Sequence, residues 1–451
     1  MTRLAGLVSF LALISWPALA GTDYILEVNG NSDSLQAVVT SNQNFTLQRL
    51  LFTSPTRTVG VVSVTGASAS SNLVSPMAQV ASGFSLWPDT HLPGVPAQVP
   101  TFSKGITSLQ AWLLSLQNAQ QKTNSYLTQS AFNVVNSSYG KKGAGVTVAV
   151  IDTAVDPTHP ALAGKLLPAV DCVGSANCGG NVLSILADPL LDQSTVIILD
   201  QSTVIILDQS TVIILDQSTV IILDGNSATG LQGKQLPGDL GHGTMVASLI
   251  SATAPGAKIL PIRAFNADGS SNLSDVLAAI YYAVNSGAKV INMSFSLDTP
   301  SDALTNAINY ASSQGVVCVA STANSSSNKV VYPAAYGGSL QNVLGVGSVD
   351  SLFGLFRSGF SGYGQPSVDV YAPGENLIAA YPGNHYAVAS GTSFATAVAS
   401  GVAAIVESGK STTQDNLNDF VNALTQTGTP VFFPYDGTRV VNAKTALKTL
   451  N

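Results

Sequence analysis

The sequence has few charged residues and very few cysteines and histidines. Only 10% of its 451 residues are charged, 18 Lys and Arg against 25 Asp and Glu, and it contains three Cys and four His. With a net charge of −7 and no cluster of Lys or Arg, it lacks the electrostatic footprint of a nucleic-acid-binding protein. Hydrophobic residues make up 45% of the chain, which excludes a disordered protein and allows a large core.

Long apolar runs are also missing. No segment offers the roughly 18 uninterrupted apolar residues that a membrane-spanning helix needs, so we expect no membrane span. The N-terminus carries a shorter run, Leu4–Ile14, preceded by Arg3 and followed by the small-residue site Ala18-Leu19-Ala20. This layout is typical of a secretory signal peptide over residues 1–20, and a buried N-terminal helix is the alternative. The sequence therefore predicts a secreted protein, extracellular or periplasmic.

The three cysteines fit an exported protein. Cys172 and Cys178 lie close together in a stretch rich in Gly, Ser and Asn, which favours a small-loop disulfide in an oxidising compartment. A cysteine-based metal site is the alternative, although no His stands at ligand spacing around the pair. Cys318 lies within an apolar strand candidate and is interpreted as an inert buried residue.

The chain changes in texture at about Ala144. Before it, residues 21–104 are polar and weakly patterned, with two short strand candidates, Tyr24–Val28 and Val59–Val64. After it, apolar β-branched runs alternate with helical stretches, which predicts an α/β fold with a mostly parallel sheet between two layers of helices. The strand candidates are Val146–Ile151, Ile259–Ile262, Val290–Met293, Val316–Val319 and Val343–Val346, and the helix candidates include Ser274–Asn285, with Ser274 as N-cap, and Thr299–Gln314.

An octapeptide repeat interrupts this pattern over residues 192–223. The unit Asp-Gln-Ser-Thr-Val-Ile-Ile-Leu occurs four times without change. Because eight is even, successive strands present the same faces, and both a meander and a short solenoid satisfy the pattern. One hypothesis is a neutral expansion in a tolerant surface loop, dispensable for the function of the domain. The other is an adhesive or self-stacking element, because uncharged β-branched segments stack readily.

Three motifs carry residues with catalytic chemistry. Asp152 ends an apolar strand candidate, His242 lies between two glycines at the head of an apolar helix candidate, and Ser393 opens a helix of small residues. A hydroxyl becomes an effective nucleophile when a His takes its proton and a buried carboxylate fixes the tautomer of that His. A Ser at a helix start also places backbone N–H groups where negative charge develops. Together the motifs predict a nucleophile, base and orienting acid.

These motifs resemble those of the subtilisin-like serine proteases, or subtilases, in the order Asp, His, Ser. The resemblance extends from about Ala131 to the C-terminus and implies a three-layer subtilisin-like peptidase domain over residues 119–451. It implies that Asn324 donates to the oxyanion, and that the chemistry requires no cofactor, while structural calcium is left open. It also implies substrate-binding segments: Gly269, Ser270 and Ser271 beside the substrate backbone, and two pocket walls, Ser294, Phe295, Ser296 and Ala320, Ser321, Thr322.

The family layout also implies a prosegment. Residues 21–118 have the place and size of a small α+β propeptide that assists folding and inhibits the enzyme within the same chain. The implied partners are thus polypeptide substrates and this propeptide, with no nucleic acid. Two departures from the family pattern, Ala323 before Asn324 and Ser296 in the pocket wall, add side-chain volume near the site without removing a reacting group.

Three functional classes follow. The first is an active secreted endopeptidase, which the complete set of Asp152, His242, Asn324 and Ser393 favours. The second is a catalytically silent scaffold used for binding, and the third is an adhesive protein built on the repeat. A serine-directed fluorophosphonate probe separates the first class from the second.

Overall fold

The structure, a computed structural model, divides the chain into two compact units, residues 1–91 and 92–451. It describes residues 23–41, 45–64, 84–89, 91–92, 142–175, 178–181, 196–198, 202–205, 212–214, 217–222, 241–266, 269–350, 356–375, 377–382, 385–410, 416–431 and 437–451. The predicted signal peptide, the predicted boundary at residue 118 and both flanks of the repeat lie outside these residues.

The N-terminal unit is an antiparallel sheet with one helix. Its elements are β1 (Asp23–Val28), α1 (Ser32–Ser41), β2 (Phe45–Thr53), β3 (Thr58–Val64) and β4 (Phe84–Pro88), and the short β5 (His91–Leu92) falls at the boundary between the two units in the sequence. The sheet order is β2-β3-β1-β4, and Leu35 and Val39 of α1 pack on Leu26 and Val62. Both predicted strands are present, as β1 and β3, and with α1 they make a small α+β unit of the kind that the family resemblance implied. The sequence did not predict α1, β2 or β4 individually. The helix has only a short apolar face, and register shifts break the pattern of β2, so neither gives a clear periodic signal.

The C-terminal unit is built on a ten-stranded sheet. The strands of this unit are β6 (Thr147–Asp152), β7 (Val170–Asp171), β8 (Gly180–Asn181), β9 (Val196–Ile198), β10 (Ser202–Ile205), β11 (Val212–Ile214), β12 (Gln217–Ile222), β13 (Lys258–Arg263), β14 (Ser271–Asn272), β15 (Val290–Met293), β16 (Val317–Ser321), β17 (Val343–Val349), β18 (Val370–Pro373), β19 (Leu377–Tyr381), β20 (His385–Ser390), β21 (Thr429–Pro430) and β22 (Arg439–Val440). The main sheet has the order β21-β22-β18-β17-β16-β15-β6-β13-β7-β8.

This sheet confirms the predicted α/β class. Every neighbouring pair from β22 to β7 runs parallel, and only the outermost strands, β21 and β8, are antiparallel. All five predicted strands belong to it. Their apolar β-branched side chains are buried because helices cover such a sheet on both faces.

Among the described residues, six helices flank the sheet in two groups. They are α2 (Gly241–Thr253), α3 (Leu273–Asn285), α4 (Asp302–Ser313), α5 (Thr392–Gly409), α6 (Leu417–Gln426) and α7 (Ala443–Leu450), and two 3₁₀ turns are Pro160–Leu162 and Ala334–Gly338. Helices α2, α5 and α7 pack together, as do α3 and α4. The N-cap of α3 is Asn272, which makes no side-chain capping bond, and not Ser274 as the sequence predicted. For α4 the cap is Ser301, whose hydroxyl accepts the N–H of Leu304.

The repeat forms parallel strands rather than a meander. Strand β11 pairs in parallel with β9, and β12 with β10. The paired apolar residues are equivalent positions two repeats apart, as Val212 faces Val196 and Val220 faces Val204, while a register shift puts Ser202 opposite Gln217. A 16-residue period of parallel pairing is the arrangement of a β-solenoid with two repeats per coil. Strand β12 also pairs antiparallel with β20, which in turn pairs with β19. The repeat thus extends the β-hairpin that leads into α5.

Within the described residues, no helix is both long and apolar enough to cross a membrane. The same residues include no group of three or more His, Cys, Asp or Glu placed to hold a metal ion.

Candidate active site

The fold brings the four predicted catalytic residues to the ends of the elements that carry them. Asp152 is the last residue of β6, and His242 and Ser393 are the second residues of α2 and α5. Asn324 follows the end of β16 by three residues. All four side chains are buried, at 1% relative exposure or less. In a parallel sheet the carboxyl ends of strands lie at one edge, which is where functional groups gather.

Asp152 and His242 form a tight buried pair. The Nδ1 atom of His242 lies 2.8 Å from Oδ1 and 3.0 Å from Oδ2 of the carboxylate. Thr153 supports the acid, since its N–H donates to Oδ1 at 2.7 Å and its own hydroxyl accepts the N–H of Gly243 at 3.0 Å. A carboxylate facing Nδ1 keeps the proton on that nitrogen and leaves Nε2 as the basic atom. In the part of the chain that the structure describes, Nε2 is buried and accepts no hydrogen bond.

Ser393 lies beside this pair, but its hydroxyl is turned elsewhere. The Oγ–H group donates to the carbonyl oxygen of Ser294 at 3.3 Å, and the hydroxyl of Ser294 donates back to the carbonyl oxygen of Ser393 at 2.9 Å. The next residue, Phe394, has its ring centroid 5.6 Å from that of His242. The structure therefore joins Asp152 to His242 and holds the start of α5 against the imidazole, while no Ser393–His242 hydrogen bond is formed among the described atoms.

Asn324 is fixed by the backbone of the same helix. Its Oδ1 accepts the N–H of Thr392 at 2.8 Å, so the amide presents its NH₂ group as donor. Ala323, directly before it, has φ 61°, in the left-handed region that favours glycine. Strained backbone of this kind is concentrated at functional sites, where the surrounding fold holds it in place.

The predicted substrate-binding residues occupy two kinds of structure. Gly269 and Ser270 belong to a tight turn, in which Asn266 N–H donates to Ser270 O at 2.8 Å and Gly269 N–H to Asn266 O at 2.9 Å. Only Ser271 of the predicted segment lies in a strand, the two-residue β14, and its hydroxyl donates to Ala264 O at 2.5 Å.

The two predicted pocket walls are bonded to each other. Ser321 Oγ donates to Phe295 O at 3.3 Å, and Thr322 Oγ1 donates to Val346 O at 3.1 Å. Ser294, Phe295, Ala320, Ser321 and Thr322 are buried, and Ser296 is half-buried. The walls, at the ends of β15 and β16, carry no charged side chain.

All three cysteines are buried, and the acid Asp369 is half-buried. Cys172 and Cys178 are joined by a disulfide with an S–S distance of 2.02 Å. Cys318 is fully buried, and burial raises the pKa of its thiol, which fits an inert residue. Burial also raises the pKa of Asp369 to about 6, although the N–H of Gly345 lowers it in part.

Three residues near Ser393 were missed by the sequence reasoning. Asn292 and Ser400 are buried and hydrogen-bonded to one another, and Thr392 holds Asn324. The signal for Asn292 was a polar residue within the apolar run Val290–Met293, since a buried amide needs partners. Ser400 lies in a helix full of small residues and gave no comparable signal.

The chain is similar in sequence to known proteins. The model described as the subtilase family matches residues 143–427. A thermophilic serine proteinase of Bacillus sp. (strain AK1) is 33% identical over 327 residues, covering 71% of this chain and 66% of that protein. Subtilisin BL of Lederbergia lenta is 35% identical over 220 residues, covering 46% and 78%. M-protease of Shouchella clausii (strain KSM-K16) is 36% identical over 220 residues, covering 46% and 55%. The matched region thus spans just under two thirds of the first of these relatives and about half of the third. Since one family model covers well over half of its residues, the chain belongs to the subtilase family.

Proposed function

We propose that this chain is a secreted serine endopeptidase that hydrolyses polypeptide substrates with Ser393, His242 and Asp152. The observation that carries the proposal is the buried Asp152–His242 pair, with Nδ1 held at 2.8 Å and Nε2 left as the base. The start of α5, which brings Ser393, packs beside the same imidazole. Membership of a family of serine endopeptidases supports this chemistry.

The first step is the activation of Ser393. Its hydroxyl rests on Ser294 O, and rotation about the Cα–Cβ bond turns the proton toward Nε2 of His242. Nε2 takes the proton while Oγ forms a bond to the carbonyl carbon of the substrate, and the carbonyl π electrons move to the oxygen. Asp152 stabilises the resulting imidazolium through the Nδ1–H bond.

The oxyanion is stabilised by donors fixed before the reaction. Asn324 offers its NH₂ group, because its oxygen is already bound by Thr392 N–H, and the backbone N–H of Ser393 stands at the positive end of α5. Removing one side-chain donor of this kind typically costs ~10²–10³ in kcat. Asn324→Ala is therefore expected to leave weak turnover with little change in KM.

The reaction then completes in three proton transfers. The imidazolium gives its proton to the leaving nitrogen, the C–N bond breaks, and an ester to Ser393 remains. Water gives a proton to Nε2 as its oxygen bonds to the ester carbon. The imidazolium then gives this proton to Ser393 Oγ as the C–Oγ bond breaks, which releases the acid product and restores the free hydroxyl and the neutral base. The segment Gly269–Ser271 beside the substrate backbone, and pocket walls without a charged side chain, favour extended peptides with an apolar or small residue before the cleaved bond.

The chemistry is tested by labelling and by one substitution. Purified protein should react with a fluorophosphonate probe at Ser393 and cleave a small chromogenic peptide. Ser393→Ala is expected to remove labelling and to lower turnover by ~10⁴–10⁶ while the protein stays folded. The matched control is Ser313→Ala, which removes an exposed hydroxyl at the end of α4 and should leave both unchanged. Retained activity in Ser393→Ala would refute the assignment, and a folded wild type that does not label would favour the silent scaffold.

Secretion and maturation form a second part of the proposal. Residues 1–20 act as the signal peptide, and residues 21–118, which include the folded N-terminal unit, act as an intramolecular inhibitor removed on activation. N-terminal sequencing of secreted protein should find a start well past Gly21, and Ser393→Ala should retain the segment if the cleavage is autocatalytic. An active protein beginning at Gly21 would contradict the propeptide.

A further inference from the structure

A chain of buried hydrogen bonds joins the middle of α5 to its catalytic end. Ser400 Oγ donates to Asn292 Oδ1 at 2.9 Å, and Asn292 Nδ2 donates to Ser294 Oγ at 2.9 Å. Ser294 Oγ donates in turn to the carbonyl oxygen of Ser393 at 2.9 Å. We propose that Asn292 and Ser400 are positioning residues that hold Ser393 in place through Ser294, an inference that rests on the proposed role of Ser393 as nucleophile.

The donors and acceptors of this chain give it one direction. The NH₂ group of Asn292 can only donate, so Ser294 Oγ accepts there and its single proton is sent to Ser393 O. The orientation of the Asn292 amide depends on Ser400, which donates to the oxygen end. All four residues are buried, at 1% exposure or less, so water does not replace a lost partner at low cost.

The chain fixes α5 at two points on one face. Ser393 and Ser400 are seven positions apart, about two helical turns, and therefore project toward the same side. Both points are attached to the end of β15, a strand of the main sheet. With Asn324 on the N–H of Thr392, the peptide groups around the nucleophile are held from β15 and from the segment after β16. These attachments determine where Ser393 Oγ and the backbone N–H of Ser393 lie.

Removing the hydroxyl of Ser400 should loosen this arrangement. In Ser400→Ala, the oxygen of Asn292 loses its donor inside the core. The amide can regain a hydrogen bond by turning over, with its oxygen toward Ser294. The hydroxyl proton of Ser294 then turns to Asn292, and the carbonyl oxygen of Ser393 loses its hydrogen bond from Ser294. Because a shift of about 1 Å at a reacting group can cost ~10²-fold, we expect kcat to fall by about 10- to 100-fold. We expect KM to change less than about twofold, since Ser400→Ala removes no side chain of the substrate-binding segments and changes only the direction of the Ser294 hydroxyl.

The test compares two Ser→Ala variants of the same helix. Ser408 is also a buried hydroxyl of α5, but it donates to Ile405 O and accepts the N–H of Gly143, with no link to Asn292 in the described structure. Each variant is assayed for kcat and KM on a small peptide, and for the second-order rate of fluorophosphonate labelling. Ser400→Ala should lower kcat and the labelling rate together, whereas Ser408→Ala should lower only the thermal midpoint. Ser400→Thr, which retains the hydroxyl, should recover most of the labelling rate.

A double-variant cycle gives an independent measurement. If the residues act in series, Asn292→Ala combined with Ser400→Ala should cost no more than Asn292→Ala alone. Unchanged kcat and labelling in Ser400→Ala, or equal losses in Ser400→Ala and Ser408→Ala, would overturn the positioning role while the wild type still labels at Ser393. A folded wild type that fails to label would overturn the proposed nucleophile itself, so the two failures are distinguishable.

Discussion

Replacing Asp152 with Asn probes the base of the proposed mechanism with almost no change in shape. In the structure both carboxylate oxygens lie within 3.0 Å of His242 Nδ1, and Oδ1 also accepts the N–H of Thr153 at 2.7 Å. An Asn side chain keeps its oxygen on Thr153 N–H, because an NH₂ group there would meet another donor. The NH₂ group must then occupy the Oδ2 position, 3.0 Å from Nδ1. Nδ1 can no longer face two acceptors.

Both responses of the imidazole reduce activity. If Nδ1 becomes the acceptor, the proton moves to Nε2 and the base is blocked; if Nδ1 keeps its proton, the ring turns away from a donor. Serine proteases with this substitution lose about 10⁴ in kcat, and we expect a loss of that order for Asp152→Asn, equivalent to about 5.5 kcal/mol at 1.36 kcal/mol per factor of ten. The loss of negative charge also removes the stabilisation of the imidazolium.

The assay is initial-rate hydrolysis of a small peptide, with circular dichroism to verify folding. Asp156→Asn is the matched control: Asp156 is likewise buried, but its Oδ1 accepts from the N–H and hydroxyl of Thr158 rather than from His242. We expect it to keep kcat/KM within about tenfold, as for a structural acid outside the reacting groups. A folded Asp152→Asn enzyme that retains more than a tenth of wild-type kcat/KM would refute the orienting role of Asp152.

Three further predictions concern stability. The first two are measured in the Ser393→Ala background, and the third is measured with Ser393 intact. Ala323→Gly should raise the free energy of unfolding by ~1 kcal/mol in denaturant titrations, because glycine adopts φ 61° without strain; an unchanged or lower midpoint would contradict this. Burial raises the pKa of Asp369 to about 6, above its ordinary 3.8. The stability that the protonated carboxyl contributes is therefore fully present below pH ~4 and is lost as pH rises through 6. Asp369→Asn, which can still accept Gly345 N–H, should therefore raise the free energy of unfolding by about 3 kcal/mol at pH 8 and leave it unchanged at pH 4. Equal thermal midpoints of the variant and its parent at pH 8 would refute the burial argument. Deleting residues 192–223, with Ser393 intact, should preserve turnover and reduce aggregation, because the length of a loop changes the free energy of folding little. Deleting only residues 192–207 removes one 16-residue coil and keeps β12, the strand that pairs with β20. If the 192–223 deletion unfolds and the 192–207 deletion does not, β20 needs its pairing with β12 in order to fold.

The sequence was informative wherever the physical signal is local. Apolar β-branched runs such as Val290–Met293 predict buried parallel strands, because the strand preference of each residue and the length of the run are enough to identify such a strand. Asp152, His242 and Ser393 stand at strand ends and helix starts marked by neighbouring glycines and small residues. In the N-terminal unit only β1 and β3 were predicted individually, because the helix and second strand have weak periodicity and form only when their few apolar residues meet in one core.

Tertiary structure alone decided which polar atoms meet. The partners Asn292 and Ser400 are 108 positions apart, and Ser294 and Ser393 are 99 apart, so no local pattern pairs them. The same holds for the repeat, whose even period allows both antiparallel and parallel strands; its parallel pairing depends on which repeat lies beside which, and on the place of β12 next to β20. Periodicity and residue type act over a few neighbouring positions and therefore determine elements. Hydrogen-bond partners depend on the packing of distant segments, which only the folded chain brings together.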